Sequence, residues 1–160
     1  MDDTVNKDAF KTEGSQGDPD KNFLVVGLGA SELDDYAKVA AQEQGGRVLN
    51  PDAEPEKGFY YRSDHFNFAK LGVPALTVDE GVDYVGKPAA FSEQVRAKWT
   101  ADVYHKPSDE VTAAWDLSGL AEDVQLLFAV GYRVAEADRY PAWSPGNEFK
   151  AIRDAQLKGK

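Results

Sequence analysis

The sequence predicts an α/β fold in which a mixed sheet is flanked by helices. A continuous apolar segment, 23–26, is closed by glycines and has the length of a strand buried on both faces. A helical pattern and a second short strand, predicted at 47–49, follow it and complete one strand–helix–strand unit. A longer helical pattern at 117–134 supplies a second helix that can cover the sheet.

The first helix has predicted signals at both ends. Ser31 is a good N-cap residue, and Asp34 stands three residues later as its capping partner. Gly45 and Gly46 end the helix because glycine readily takes the left-handed conformation found after a helix. Its predicted apolar face consists of Leu33, Tyr36, Ala37, Ala40 and Ala41.

The middle of the chain alternates short elements with loops. Asp64 is predicted to cap a short helix that Gly72 ends, and residues 74–78 form the next strand. The connection 81–103 has little apolar rhythm apart from a helical turn around 92–99. Long connections of this kind are often functional.

The last third is dominated by the longest predicted helix. Asp116 is predicted to cap it, and it ends near Asp138. Residues 141–160 are predicted to be a surface tail with a weak helix at 147–157. The whole chain therefore divides into 1–21, 22–140 and 141–160. The apolar residues of the long helix recur at helical spacing: Leu117, Leu120, Ala121, Val124, Leu127, Phe128, Gly131 and Val134.

Composition excludes several classes of function. A net charge of −10 argues against nucleic acid as a partner, because there is no basic surplus to displace counterions. No apolar run approaches the ~20 residues of a membrane helix. The absence of cysteine excludes disulfides, thiolate metal sites and cysteine nucleophiles. Residues 1–21 have no apolar signal-peptide core, so we expect any export signal of a secreted or periplasmic parent to lie upstream; the compartment stays open.

The candidate chemistry is concentrated in two segments, 61–75 and 104–110, which hold the two histidines of the chain. Histidine with carboxylate, without cysteine, is the ligand set of catalytic zinc. His105 is therefore either a metal ligand or a structural histidine hydrogen-bonded to Asp109. The Asp64–His65 pair favours a capping carboxylate beside a packed histidine.

Two other chemistries fit less well. The Gly27-x-Gly29 turn lacks the third glycine of a dinucleotide fingerprint, because Glu32 stands there, so a plain strand-to-helix turn is favoured. No candidate serine nucleophile lies in a G-x-S-x-G elbow.

Three stretches in this order, 25–36, 58–66 with 72–75, and 104–110, resemble the C-terminal half of co-catalytic dizinc aminopeptidases. This is the family of the bacterial leucyl aminopeptidases, related to glutaminyl cyclases and to the peptidase-like domain of the transferrin receptor. The resemblance implies that 22–140 is the C-terminal part of a three-layer zinc-exopeptidase-like domain. It also implies that 1–21 is a lead-in with a truncated strand.

The resemblance also implies a site. His105 matches the last metal ligand, in the loop before the final long helix, and Asp8 matches the aspartate of the family's N-x-D strand. In the family these two ligands serve opposite metals. Tyr104, Tyr61 and the turn Ser63-Asp64-His65 are implied to line the substrate pocket.

The family's remaining catalytic groups have no counterpart here. The sequence contains neither the H-x-D motif nor the Glu-Glu pair that supplies general base and ligand. Each zinc would keep one protein ligand where catalytic zinc takes about three, and a paired site also needs a shared carboxylate. We therefore expect no catalytic residue in this chain, weak or absent zinc, and hydrolysis of N-terminal residues from peptides only in an intact parent.

Two alternatives stay open. One is a non-catalytic binding or scaffold module, since the transferrin receptor domain tolerates loss of metal; Tyr84, Phe91 and Trp99 would form its surface. The other is a glutaminyl cyclase-like enzyme, although those enzymes usually have tryptophan where Tyr104 stands. In either case a truncated sheet leaves a strand edge and an apolar face uncovered, which predicts self-association.

Overall fold

The α/β class is confirmed by the computed structural model, which describes residues 22–52, 54–79, 81, 88, 90–111 and 118–158. Asp8, Tyr84 and Asp116 lie outside the described residues. No helix in the described ranges is both long and apolar enough to span a bilayer. The elements are β1 (Asn22–Val26), α1 (Leu33–Glu43), β2 (Val48–Pro51), a 3₁₀ turn (Pro55–Lys57), α2 (Phe59–Arg62), α3 (His65–Ala69), β3 (Thr77–Asp79), α4 (Phe91–Asp102), α5 (Ser118–Ala135) and α6 (Lys150–Lys158).

The described strands form a mixed sheet in the order β2–β1–β3. β1 and β2 run parallel, with Asn22 opposite Val48, as expected for a strand–helix–strand unit. β3 pairs with β1 in the antiparallel direction, with Val26 opposite Thr77. All five residues of β1 are buried, which confirms the prediction from its continuous apolar run.

The main core lies between β1 and two helices. Phe23 and Val25 point to the same side of β1 because side chains alternate along a strand. They pack with alanines of α1 and with two residues of α5. The buried members of this cluster are Phe23, Val25, Ala37, Ala40, Ala41, Leu126 and Val130.

The N-terminus of α1 is held differently from the predicted capping pair. The N-cap residue of α1 is Glu32, not the predicted Ser31, and its side chain makes no capping bond. The hydroxyl oxygen of Ser31, one residue earlier, accepts a hydrogen bond from the backbone N–H of Leu33. The Asp34 carboxylate instead accepts from the backbone N–H of Gly29, at 2.6 Å, and so closes the turn after β1. At the other end, Gly45 and Gly46 both have positive φ, and the Gly46 amide donates to carbonyls of the last turn.

The connection 81–103 contains a helix that the sequence indicated only as one turn. α4 has 12 residues and shows many exposed positions, such as Glu93 and Lys98, so it has no strong apolar stripe to detect. Good helix-forming residues and the i,i+4 ion pair of Lys98 with Asp102 support it instead. Phe91 and Trp99, two of the aromatic residues predicted for a binding surface, lie on this helix.

α5 buries a different face from the predicted one. Leu126 and Val130 are buried against the core, whereas Val124 and Phe128 of the predicted apolar face are 57% and 72% exposed. The reason is that α5 is apolar around most of its circumference, so periodicity alone does not select the face that meets the sheet. The helix ends at Ala135 instead of near Asp138.

Residues 141–160 were predicted to form a surface tail, but three of them, Pro141, Trp143 and Phe149, are buried. Trp143 and Phe149 form a second cluster with Ala69 of α3. The indole N–H of Trp143 donates a 2.9 Å hydrogen bond to the carbonyl of Gly72, so its polar atom is satisfied inside the protein. Burial of these large rings outweighs the proline and charge content from which a surface tail was predicted. The division into three ranges stays a prediction.

An ion pair between a buried arginine and a partly buried aspartate connects the start of β2 to α5. Arg47 is 2% exposed, and its Nη2 lies 2.7 Å from Oδ1 of Asp123. The guanidinium also lies over the ring of Phe23 and donates to the side chain of Gln44, which in turn donates to the backbone of α5. Burial raises the pKa of the Asp123 carboxyl, and the positive charge of Arg47 opposes that rise.

Replacing Arg47 by alanine is expected to lower the free energy of unfolding by about 3 kcal/mol, because it leaves Asp123 desolvated without its counter-charge. Urea denaturation followed by circular dichroism measures this change. Lys38→Ala is the control, since it breaks an exposed pair with Asp35 and should cost at most about 0.5 kcal/mol. Equal effects of the two substitutions would contradict the structural role of the Arg47–Asp123 pair.

Candidate functional site

Two short helices and the corner between them carry four of the five predicted substrate-binding residues: Tyr61, Ser63, Asp64 and His65. α2 begins after Gly58, whose φ of 66° is left-handed, and ends at Arg62, just before Ser63, which is extended. α3 starts two residues after Ser63, so the chain makes a sharp corner at Ser63 and Asp64. Backbone N–H groups of α3 donate to the carbonyls of these two residues and stabilise the corner.

Asp64 was predicted to cap α3 through its side chain, and this prediction is wrong. Its backbone is already helical, with φ −61° and ψ −30°, and its carboxylate makes no capping hydrogen bond. A side-chain cap normally needs an extended backbone at the N-cap residue. The Asp64 side chain is instead exposed beside the corner, as is that of Ser63.

His65 is packed inside this region. One ring nitrogen, Nδ1, lies 2.7 Å from the hydroxyl of Thr77 on β3, and the ring meets Tyr60 edge-on at 4.7 Å. The other nitrogen, Nε2, is buried and has no hydrogen-bond partner among the described residues. Burial lowers the pKa of His65, because the charged imidazolium would lose its solvation.

Tyr60 is wedged between β1 and His65. A Cβ atom added at Gly27 would lie 2.7 Å from the Tyr60 ring, so the glycine lets the ring lie directly against the turn after β1. The Tyr60 hydroxyl is buried without a hydrogen-bond partner in the described part of the chain. Burial is the main cause that raises the pKa of Tyr60 to about 12.

Tyr61 is 54% exposed, and its ring meets that of Tyr60 edge-on with centroids 5.4 Å apart. Its hydroxyl donates a 2.8 Å hydrogen bond to Oε1 of Glu148, and its ring meets Phe66 edge-on. The hydrogen bond to Glu148 is the main reason that the pKa of Tyr61 is raised. Tyr60, Tyr61 and His65 therefore form one continuous cluster of rings.

The His105 loop is fastened to the end of α4. The backbone N–H of Tyr104 donates to the carbonyl of Trp99, and the Ser108 hydroxyl donates to the carbonyl of Asp102. The ammonium of Lys106 donates to another carbonyl of the last turn. Side chains thus satisfy backbone acceptors that the helix terminus leaves unpaired.

His105 has an unusual backbone. Its φ is +56°, the left-handed region that few residues other than glycine occupy. The Tyr104 ring lies 4.0 Å from the imidazole and 4.8 Å from Trp99, and both His105 and Tyr104 are exposed. Backbone strain of this kind is concentrated at functional sites. The alternative prediction for His105 was a hydrogen bond to Asp109, and these two described residues do not form one.

The described residues do not by themselves fit a complete zinc site. They contain no cluster of three or more histidine, aspartate or glutamate side chains placed to hold a metal. His105 is an accessible donor, while Asp8 lies outside the described part of the chain. Among the described residues, no hydrogen bond or ring contact joins the His65 cluster to the Tyr104–His105 pair. The site roles of all these residues stay predictions.

The model of Peptidase family M28 matches residues 4–129, most of the chain. The chain belongs to peptidase family M28. This match confirms the resemblance stated from the sequence. The family consists of zinc-dependent peptidases, so the protein is a member of a family of metalloproteases, which are hydrolases. No curated protein and no solved structure matches the chain.

The M28 match includes both candidate loops, but sequence reasoning missed part of the His65 cluster. Tyr60 was not singled out, and neither were Glu148 and Phe149, which lie beyond the matched range. One signal was present: Trp143 and Phe149 are large aromatic residues that proteins seldom leave uncovered. Their partners cannot be identified without the structure.

The M28 domain is expected to lose stability as the pH falls through about 6.5. The folded state lowers the pKa of His65, so the unfolded chain binds more protons in this range and is favoured. Urea denaturation at about pH 8 and about pH 5 measures the loss, and His65→Gln, which keeps a polar group near Thr77, serves as the reference. Equal losses in the two proteins would show that His65 does not contribute.

Proposed function

We propose that this chain is the C-terminal part of a zinc-dependent aminopeptidase that hydrolyses N-terminal residues from peptides. The observation that carries the proposal is the M28 match across the loop in which His105 is held exposed on a left-handed backbone. A fixed, accessible imidazole suits a metal ligand, because the loop maintains its direction without help from the metal.

In this proposal the chain contributes ligand and substrate contacts. Zinc supplies Lewis acidity toward the scissile carbonyl when bound. His105 provides one nitrogen donor, and Tyr104 supports its ring by direct contact. Tyr61 and the Ser63-Asp64-His65 corner offer hydroxyl and carboxylate groups for a peptide backbone, with the exposed groups facing solvent where a peptide can reach them.

We further propose that the chain alone does not catalyse hydrolysis. The support is the sequence: it holds two histidines, no H-x-D motif and no Glu-Glu pair. Without a second and third donor a zinc ion is weakly held, and without a positioned carboxylate no general base removes a proton from water.

The isolated chain, incubated with zinc, is expected to release no N-terminal residue from a panel of aminoacyl anilides. Zinc binding, measured by competition with a chromogenic chelator, should be weak and should depend on His105. His105→Gly should remove that binding while leaving the free energy of unfolding within about 1 kcal/mol, because glycine accepts the left-handed backbone but gains freedom in the unfolded chain.

His65→Gln is the matched control, since it removes the other imidazole and should leave zinc binding unchanged. Hydrolysis above a zinc-only blank would refute the incomplete site. Zinc binding that survives His105→Gly but not His65→Gln would refute the assignment of His105 as the ligand.

A second candidate, a non-catalytic binding module, is favoured by the outer face of α5. Val124, Phe128 and Tyr132 are spaced four residues apart on one side of the helix and are all exposed. The rings of Phe128 and Tyr132 stack at 6.2 Å. A contiguous exposed apolar stripe is characteristic of interaction surfaces.

We also propose that the chain associates with itself through an open sheet edge. Within the described sheet, β2 is an outer strand, and its Val48 is 45% exposed. Unpaired strand backbone of this kind promotes pairing with another chain.

Sedimentation velocity at increasing protein concentration is expected to show dimers, and Val48→Lys should shift the population to monomers because lysine blunts a strand edge. Val39→Lys is the control: Val39 is similarly exposed but lies on α1, so this substitution adds the same charge away from the edge. A wild-type chain that stays monomeric throughout would end this proposal.

A further inference from the structure

The C-terminal strap, residues 139–158, lies beyond the family match yet contacts the candidate site. The match ends at 129, so the strap is not part of the shared family pattern. Two of its three aromatic side chains, Trp143 and Phe149, are nevertheless buried in the cluster that includes Tyr60 and Phe66. A segment that merely trailed from α5 would not bury aromatic residues against the site helices.

Three contacts fasten the strap along its length. At its start, Arg139 donates to the Glu32 carboxylate at 2.6 Å. In the middle, the Trp143 indole donates to the carbonyl of Gly72. In α6, the Gln156 amide donates to the carbonyl of Leu71 at 2.7 Å. The second and third contacts hold the turn after α3, which fixes the strap relative to the His65 cluster.

Two consecutive strap residues then reach the rings of the site. Phe149 stacks near Tyr60, with centroids 6.5 Å apart and planes 20° apart, and meets Phe66 edge-on at 6.0 Å. Glu148 accepts the hydroxyl hydrogen of Tyr61 at 2.8 Å. Within the described part of the chain, Glu148 is therefore the hydrogen-bond partner of the Tyr61 hydroxyl. The Tyr61 side chain is half-exposed.

We propose that Glu148 is a positioning residue that orients Tyr61 for peptide binding, which makes the C-terminal strap part of the substrate site. This inference rests on the proposed peptidase function. Without the carboxylate, the hydroxyl hydrogen of Tyr61 would rotate freely and the exposed ring would sample other rotamers.

The direction of the hydrogen bond defines the ligand chemistry. The Tyr61 hydroxyl uses its hydrogen on Glu148, so the lone pairs of its oxygen remain available as acceptors. A neighbouring carboxylate makes that oxygen a better acceptor by polarising the O–H bond. The pair therefore suits a donor group on the ligand, such as a backbone N–H or the terminal ammonium of a peptide.

The test is an NMR titration of the full chain in zinc-containing buffer. The tyrosines carry ¹³C at the ring carbon that bears the hydroxyl, and the signal missing from Tyr61→Phe is assigned to Tyr61. Each protein is titrated with base and then with a leucyl tripeptide. In Glu148→Ala the Tyr61 signal should titrate at lower pH than in wild type, and peptide affinity should fall about fivefold. Glu148→Gln keeps a neutral acceptor and should restore part of the affinity.

Glu136→Gln is the control, because it removes an exposed carboxylate at the end of α5 and should change neither reading. A Tyr61 titration that is unchanged in Glu148→Ala overturns the proposal. A Tyr61 titration that changes while the peptide affinity stays the same also overturns it, because the contact between Glu148 and Tyr61 would then be structural only. If the wild-type chain binds no peptide, both the proposed peptide substrate and this inference are overturned. The peptide titration of the wild-type chain identifies that case without any variant.

Discussion

The complete burial of β1 is the constraint on which the rest of the structure depends. One side of the strand packs on α1 and α5 through Phe23 and Val25, and its two edges pair with β2 and β3. At its end, Gly27 turns the chain on a left-handed backbone and receives the ring of Tyr60. A single strand thus fixes the sheet, the main core and the position of the His65 cluster.

The elements that sequence predicted are those whose signals are local. The apolar run of β1, the glycines that end α1 and the periodicity of α5 are each contained in a short window. The side of α5 that faces the core could not be predicted, because Leu126 and Phe128 are equally apolar and only the tertiary fold separates them. Likewise the Trp143–Gly72 bond joins residues 71 positions apart, and no local pattern encodes such a partner.

The candidate site likewise has features that the local sequence predicts and features that depend on the tertiary fold. The motif around His105 was recognisable from its residues, and the family match supports it. Its left-handed backbone, by contrast, was not predicted, since only a small fraction of residues other than glycine adopt it and no glycine marks the position. The chemistry of His65 also depends on context: Thr77 and Tyr60 reach it from different elements and leave one nitrogen buried and unpartnered.

The backbone of His105 also limits how this loop can diverge during evolution. Left-handed positions accept glycine and, less readily, asparagine, aspartate and histidine, whereas β-branched side chains are disfavoured there. Under the proposed role of His105 as a zinc ligand, aspartate at this position would keep an anionic oxygen donor, whereas glycine would have none. A lineage released from metal binding would therefore accumulate glycine or asparagine here without losing the shape of the loop.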